Sequence, residues 1–229
     1  MVQNEIPAAR KIAVTLLANQ REKNPYDVQV LGKSFIVFPG VFSPKYCADT
    51  AFYAGQIPVC AGDKVLEIGC GTGIVSIFAL LKGAISVVAV DINPLAVRNS
   101  MENAAKYNLS DRMQVRLGDV YGALKPDERF DIIFWNIPFG FSERKDISVE
   151  EMALFDSGYK AFNRFINGSS NHLKKNGRLL FGCCPKLSRF DLITEFLTQS
   201  GLTYTSLAQI DTIYLNETIT FQLLEIRDS

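Results

Sequence analysis

Lys64-Val65-Leu66-Glu67-Ile68-Gly69-Cys70-Gly71-Thr72-Gly73 is the stretch that decides the fold. An apolar run enters three glycines spaced two apart, and the apolar segment near 73–82 that follows reads as a helix. Glycine turns the chain without a side-chain penalty and lets a ligand approach the backbone. A strand, a glycine turn and a helix in that order mark the first crossover of a doubly wound α/β sheet. Strands near 64–68, 86–90, 113–117, 130–135 and 178–183 alternate with expected helices near 73–82, 94–107, 149–173 and 187–200. That rhythm implies parallel strands joined by right-handed crossovers. The tail breaks it, because 203–210 and 218–226 are β-rich and only 211–217 lies between them. The expectation is an α/β, mostly parallel seven-stranded sheet with an antiparallel pair at one edge.

Ahead of this core, residues 6–23 have helical spacing, with Ala8, Ile12, Leu16 and Leu17 on one face. Segments 28–31 and 35–38 flank Gly32-Lys33 as a hairpin, and 46–56 reads as a short helix before Pro58. Residues 1–57 are therefore expected to form a helix-and-hairpin cap, and 58–229 the ligand-binding domain.

Composition narrows the class. The 229 residues are 48% hydrophobic and 21% charged, with 24 basic and 24 acidic side chains and a formal net charge of zero. A dedicated nucleic-acid binder carries a basic excess, which this chain lacks. No segment is apolar for long enough to span a bilayer, and residues 1–5 lack a secretory pattern, so a cytoplasmic protein is expected. Five cysteines without a Cys-x-x-Cys spacing argue against a disulfide framework or a zinc site. A single histidine, His172, disfavours a histidine-built metal site, so no metal is expected.

The glycine spacing separates two cofactor classes. Dinucleotide enzymes use Gly-x-Gly-x-x-Gly to seat a pyrophosphate on a helix N-terminus. Here the spacing is Gly-x-Gly-x-Gly, and Glu67 stands beside the loop, where a carboxylate repels phosphate but accepts from an ammonium. S-adenosylmethionine has an amino-acid end, a sulfonium and an adenosine, and no phosphate. Asp91 ends the next strand, placed for a bidentate hold on two ribose hydroxyls, and Ile92 is placed to pack on the adenine. Asp119, followed by Val120, ends the third and can accept from the adenine amino group. Cap and turn roles are open to the same residues, Asp91 and Asn93 both preceding the helix that starts near Pro94.

A second segment, Asn136-Ile137-Pro138-Phe139, follows the fourth strand. The Asn136 side-chain carbonyl and the Ile137 backbone carbonyl can each accept from an N–H of one substrate nitrogen. Two such acceptors draw an NH2 group toward tetrahedral geometry and aim its lone pair. Phe139 offers a flat face for a planar group. Positioning and electrostatics suffice for such a transfer. A turn with Asn136 as a local cap and Pro138 as a breaker fits the same residues.

These motifs resemble the class I S-adenosylmethionine-dependent methyltransferases over roughly residues 27–185. Glu67, Gly69, Cys70, Gly71 and Gly73 look like that family's cofactor loop, Asp91 like its ribose-binding acid and Asp119 like its adenine-contacting acid. Residues 136–139 are similar to the Asn-Pro-Pro-Tyr/Phe motif of enzymes that methylate planar nitrogens, among them release-factor glutamine and ribosomal-RNA guanine methyltransferases. The segments 38–44 and 172–179 resemble the same enzymes. The resemblance implies a Rossmann-like fold, S-adenosylmethionine as cofactor, and a methyl acceptor that is a protein amide, a nucleobase amine or a small-molecule amine. Ile137 departs from the motif's proline and loses its fixed dihedral. That departure supports an alternative, a methyltransferase-like scaffold without turnover, and a nicotinamide oxidoreductase is a third reading that the glycine spacing disfavours.

The remaining candidates have plainer expectations. Cys183 and Cys184 lie on an expected core strand, Trp135 fills core space or shapes a pocket, and His172 belongs at a helix end or in solvent. Glu143, Arg144, Lys145 and Asp146 form a solvated run that follows the motif and can also close over a substrate. Phe42 and Tyr46 both stand where a cofactor contact is open.

Overall fold

A computed structural model describes residues 7–20 and 22–229. The N-terminal elements are α1 (Pro7–Asn19), β1 (Tyr26–Val30), β2 (Lys33–Val37) and α2 (Asp49–Gln56). Ile6 and Arg21, part of the helical reading over 6–23, lie outside the described residues. The chain continues through β3 (Lys64–Ile68), α3 (Ile74–Leu81), β4 (Ser86–Asp91), α4 (Pro94–Lys106), β5 (Met113–Leu117) and β6 (Phe130–Asn136). After these come β7 (Gly140–Ser142), β8 (Phe155–Ser157), α5 (Lys160–Gly168), β9 (Leu173–Cys183), α6 (Phe190–Gln199), β10 (Leu202–Tyr214) and β11 (Glu217–Asp228).

The central sheet has seven strands in the order β10-β11-β9-β6-β3-β4-β5. β5, β4, β3, β6 and β9 run parallel, and β11 and β10 add antiparallel at one edge, as the sequence predicts. Alternate strand residues feed opposite faces. Val65, Phe134 and Leu180 pack under α2, α3 and the hairpin, with Phe35, Tyr53 and Ile77. Leu66, Ile133, Trp135 and Phe181 pack under α5 and α6, with Phe162, Phe165 and Ile193. Among the described residues no helix is long and apolar enough to cross a membrane.

Two expectations fail. The helix over 149–173 is broken into a 3-10 turn at Glu151–Ala153, strand β8, helix α5 and a second 3-10 turn at Ser169–Asn171. Gly158 and Tyr159 take left-handed φ of 63° and 48° and stop any helix there. The buried Asp156 carboxylate then starts α5 by accepting from Ala161 N (3.2 Å) and Phe162 N (2.9 Å). The loop read over 211–217 is instead mostly strand, closed by Leu215 and Asn216 at φ 50° and 63°. Positive φ at both central residues is the twist a two-residue hairpin needs. His172 ends the second 3-10 turn, a helix end as expected, and is not in solvent. It is buried, its Nδ1 lies 3.1 Å from the Glu128 carbonyl oxygen, and its ring stacks on Tyr121 at 5.2 Å.

Two asparagines on one face of α4 join the hairpin to the core. Asn103 Oδ1 accepts from Ile36 N (2.8 Å), and its amide donates to Ile36 O (2.8 Å) and Thr72 O (2.9 Å). Asn99 Oδ1 accepts from Phe38 N (2.8 Å) and its amide donates to Ile36 O (2.7 Å). Both side chains are fully buried. They act as a short extra strand for β2 and fix the 38–44 segment over the carboxyl ends of the sheet. Asn103→Ala strips Ile36 N and Thr72 O of these partners, so it is expected to destabilise the fold by about 2–4 kcal/mol, as measured by urea unfolding.

Candidate active site

A single cleft crosses the carboxyl ends of β3, β4, β5 and β6, where ligands bind in open α/β sheets. Glu67, Gly69, Cys70, Gly71, Asp91, Ile92, Asp119, Val120, Asn136, Ile137, Pro138 and Phe139 all line it. Gly73 does not. It starts α3 at φ 76°, and a Cβ there would meet Ser100 Oγ at 2.9 Å, so its glycine serves close packing behind the loop. Gly69 is similar, at φ 64° with Trp135 Nε1 2.8 Å from a built Cβ. Gly71 differs: at φ 53° its Cβ position meets nothing within 4 Å. The backbone there is bare toward the cleft.

The three strand-end acids have distinct surroundings. Glu67 is 4% exposed, and its Oε2 accepts from both Ser76 N (2.8 Å) and the Ser76 hydroxyl. Burial pushes its carboxyl up to about 8, with the Ser76 hydrogen bonds opposing and the nearby Asp91 adding. Asp91 Oδ2 accepts from Gly71 N (2.8 Å) and Oδ1 from Asn93 N (2.9 Å), so it braces the glycine loop and the next turn together. Burial raises its carboxyl too. The helix-cap role falls to Asn93, whose Oδ1 accepts from Leu95 N (2.9 Å). Asp119 is half-exposed and pairs with Arg164 Nη2 at 2.6 Å. Val120 beside it holds φ 51°, a left-handed conformation costly for a β-branched residue, and strain of this kind gathers at ligand sites. The Cys70 thiol faces Ser100 Oγ at 3.3 Å, and burial pushes it well up.

Asn136 sits at the end of β6. Its Nδ2 donates to Asp49 Oδ2 (2.8 Å), while its buried Oδ1 has no hydrogen-bond partner among the described residues. Ile137 N donates to Gly182 O (3.1 Å). Phe139 is buried on the cleft wall against Phe221 (5.6 Å between rings), and its carbonyl accepts from Tyr159 OH (3.0 Å).

Sequence reasoning missed several lining residues. Asp49 and Thr50 come from the start of α2, and Val149, Met152, Ala153 and Leu154 from the segment read as helix. Phe42 lines the cleft, whereas Tyr46 donates to Glu22 (2.7 Å). Of the charged run, Arg144 pairs with Asp146 (3.3 Å) and Glu151 (3.1 Å), and it is the apolar residues after the run that reach the cleft.

The acceptor set suits a ligand with cationic and hydroxyl groups. Glu67, Asp91 and Asp49 are buried, and among the described residues no lysine or arginine pairs with them. An unpaired buried carboxylate is costly, and a phosphate in the cleft would add to the cost.

Residues 32–206 match the family described as methyltransferase small domain. The chain is 32% identical over 154 residues to a candidate protein N5-glutamine methyltransferase of Methanocaldococcus jannaschii, a match covering 66% of this chain and 75% of that one. It is 30% identical over 126 residues to a release factor glutamine methyltransferase of Cereibacter sphaeroides, covering 51% of this chain but only 45% of the relative's length. A solved structure described as a methyltransferase in complex with SAH superposes with a TM-score of 0.61 at 16% identity, covering 89% of this chain and 56% of that one.

Glu67 sets a pH dependence of stability. Its folded carboxyl is raised from 4.5 to about 8, so the folded state holds a proton that the unfolded state has released. This contribution is full below about 4.5 and is lost as pH climbs to about 8. Urea unfolding is expected to show stability falling across that window, with a shallower fall in Glu67→Gln.

Proposed function

The chain belongs to the methyltransferase small domain family of S-adenosylmethionine-dependent enzymes, and we propose that it methylates a planar nitrogen bearing N–H groups. The carrying observation is the buried, unpartnered Oδ1 of Asn136 on the cleft wall. An acceptor left without a donor in a buried site is an incomplete hydrogen bond. An N–H of the methyl acceptor completes it.

When bound, S-adenosylmethionine would supply a methyl group on a positively charged sulfur that leaves as a neutral thioether, and the methylated nitrogen would release one N–H proton to solvent. The chain's own residues do the rest. Glu67 receives the ligand's ammonium, and its deprotonation on binding is favoured by that charge. Asp91 keeps lone pairs beyond its two backbone hydrogen bonds and takes the ribose hydroxyls. Asp119, steadied by Arg164, would accept from the adenine amino group, and Ile92 and Val120 would pack on the ring. Gly69, Cys70 and Gly71 supply close backbone. Asn136 Oδ1 and the Ile137 carbonyl hold the acceptor NH2, Pro138 limits the loop's freedom, and Phe139 bounds the acceptor's plane. Val149, Met152 and Leu154 close the cleft and exclude water, which strengthens every polar contact inside.

The acceptor class that fits best is a carboxamide of the glutamine type. The two relatives described above carry that activity in their names. A formal net charge of zero favours a peptide over a nucleic-acid acceptor.

Tritiated methyl transfer from S-adenosylmethionine into a desalted cell extract tests this. Label is expected in a protease-sensitive, nuclease-resistant fraction, and nuclease-sensitive label would move the acceptor to RNA or DNA. Asn136→Ala is expected to cut turnover about 100-fold while calorimetric affinity for S-adenosylhomocysteine stays near wild type. Asp91→Ala is expected to weaken that affinity instead.

A further inference from the structure

We infer that Asp49 is a positioning residue for methyl transfer, fixing the orientation of the Asn136 amide so that its oxygen, and not its NH2, faces the acceptor. The inference rests on the proposed role of Asn136 and assigns a function to a residue of the N-terminal segment.

An asparagine amide has two nearly isosteric ends, one a double donor and the other an acceptor. Rotated by half a turn, Asn136 would present N–H groups to an incoming N–H, and the site would repel its acceptor. Something must choose between the two orientations. Asp49 is 1% exposed and sits 2.8 Å from Asn136 Nδ2. Burial raises the Asp49 carboxyl, and its hydrogen bonds, that from Asn136 foremost, favour the charged form. As a carboxylate it only accepts, so the NH2 end of Asn136 faces it. Oδ1 is then forced to the other side, and that is the atom left without a partner.

The carboxylate is itself held in place. It stands in the first turn of α2, where the helix dipole favours negative charge. The Thr50 hydroxyl lies 3.5 Å from its Oδ1, and the neighbouring Cys47 thiol and Thr50 N–H favour its charged form. α2 is pinned at its far end by Lys82 Nζ, which donates to Gly55 O (2.7 Å) and Ile57 O (3.1 Å). In its middle, Tyr53 OH donates to Cys183 O (3.3 Å), on the strand next to β6. Asp49 and Asn136 are thus fixed by elements packed on the same sheet, and neither can drift from the other without unpacking α2.

The test uses the intact chain, methyl-tritiated S-adenosylmethionine at saturation with a desalted cell extract as acceptor, calorimetry with S-adenosylhomocysteine, and NMR of the Asn136 side-chain amide, assigned by its loss in Asn136→Ala. Asp49→Ala is expected to lower kcat about 10–100-fold, with S-adenosylhomocysteine affinity near wild type and the Asn136 amide protons exchanging faster. Asp49→Asn keeps a carbonyl that can accept from Asn136 Nδ2, and is expected to return kcat to within about tenfold of wild type. Because it conserves shape, it also keeps the comparison open should Asp49→Ala not fold. Wild-type kcat in Asp49→Ala, or an unchanged Asn136 resonance, with Asn136→Ala still impaired, overturns this inference alone. Equal loss of kcat and cofactor affinity in both Asp49 variants overturns it as well, since that is the mark of a structural role. Wild-type kcat in Asn136→Ala overturns the reading of Asn136 and this inference with it.

Discussion

Carboxyl groups buried with no lysine or arginine partner among the described residues are the constraint around which the cleft is organised. Glu67, Asp91 and Asp49 stand at the carboxyl ends of β3 and β4 and at the start of α2, all under 10% exposed. Each is raised by burial, and what opposes the burial is a set of hydrogen bonds from Ser76, from Gly71 and Asn93, and from Asn136, Cys47 and Thr50. These hydrogen bonds oppose burial without cancelling it, so Glu67, raised to about 8, keeps its proton at neutral pH until a cation draws it off. The site therefore holds an electrostatic demand that a positively charged ligand meets and a phosphorylated one does not. The glycines belong to the same logic: Gly71, with nothing beside its Cβ position, lets a ligand reach the loop that Asp91 braces.

The N-terminal segment completes this site. Asn99 and Asn103 hold β2 against α4, Asn93 Nδ2 donates to Gly40 O (2.8 Å), and the chain between them brings Val41 and Phe42 to the cleft edge. Asp49 and Thr50 follow on α2. One wall of the cleft thus comes from residues ahead of the first sheet strand, and its precision depends on side-chain hydrogen bonds made by α4.

How much of this was legible beforehand depends on the kind of signal. The five parallel strands, the glycine turn and the acids at strand ends are local patterns and lie where expected, while the helix over 149–173 and the cleft place of Gly73 do not. Asp49 carries no such pattern, since one acid near a helix start reads as an ordinary first-turn charge. Only the fold brings it to Asn136, 87 residues away. Segment 149–173 misled for a physical reason. Met152, Leu154 and Phe155 have apolar spacing compatible with a helix, but the first two line the cleft and the third belongs to a short parallel pair with β7. Gly158 was the available warning, because a left-handed turn there ends any helix.

The departure at Ile137 also takes a different meaning once the backbone is seen. Proline would fix φ but would carry no N–H. Ile137 has one, and it donates to Gly182 O at 3.1 Å, just past the Asn136–Gly182 pairing that ends the β6–β9 ladder. One sheet hydrogen bond thus replaces a ring as the restraint on this residue. Its side chain is buried at 2% exposure in the core beneath α5 and α6, which adds a second restraint. On the other side of Pro138, Tyr159 OH holds the Phe139 carbonyl and accepts from Arg189 N (3.0 Å). Asn136, Ile137 and Phe139 are each tied to a neighbouring element. The rigidity that a second proline would supply through covalent geometry is supplied here by tertiary hydrogen bonds, so the loss of the proline does not by itself argue for a site without turnover.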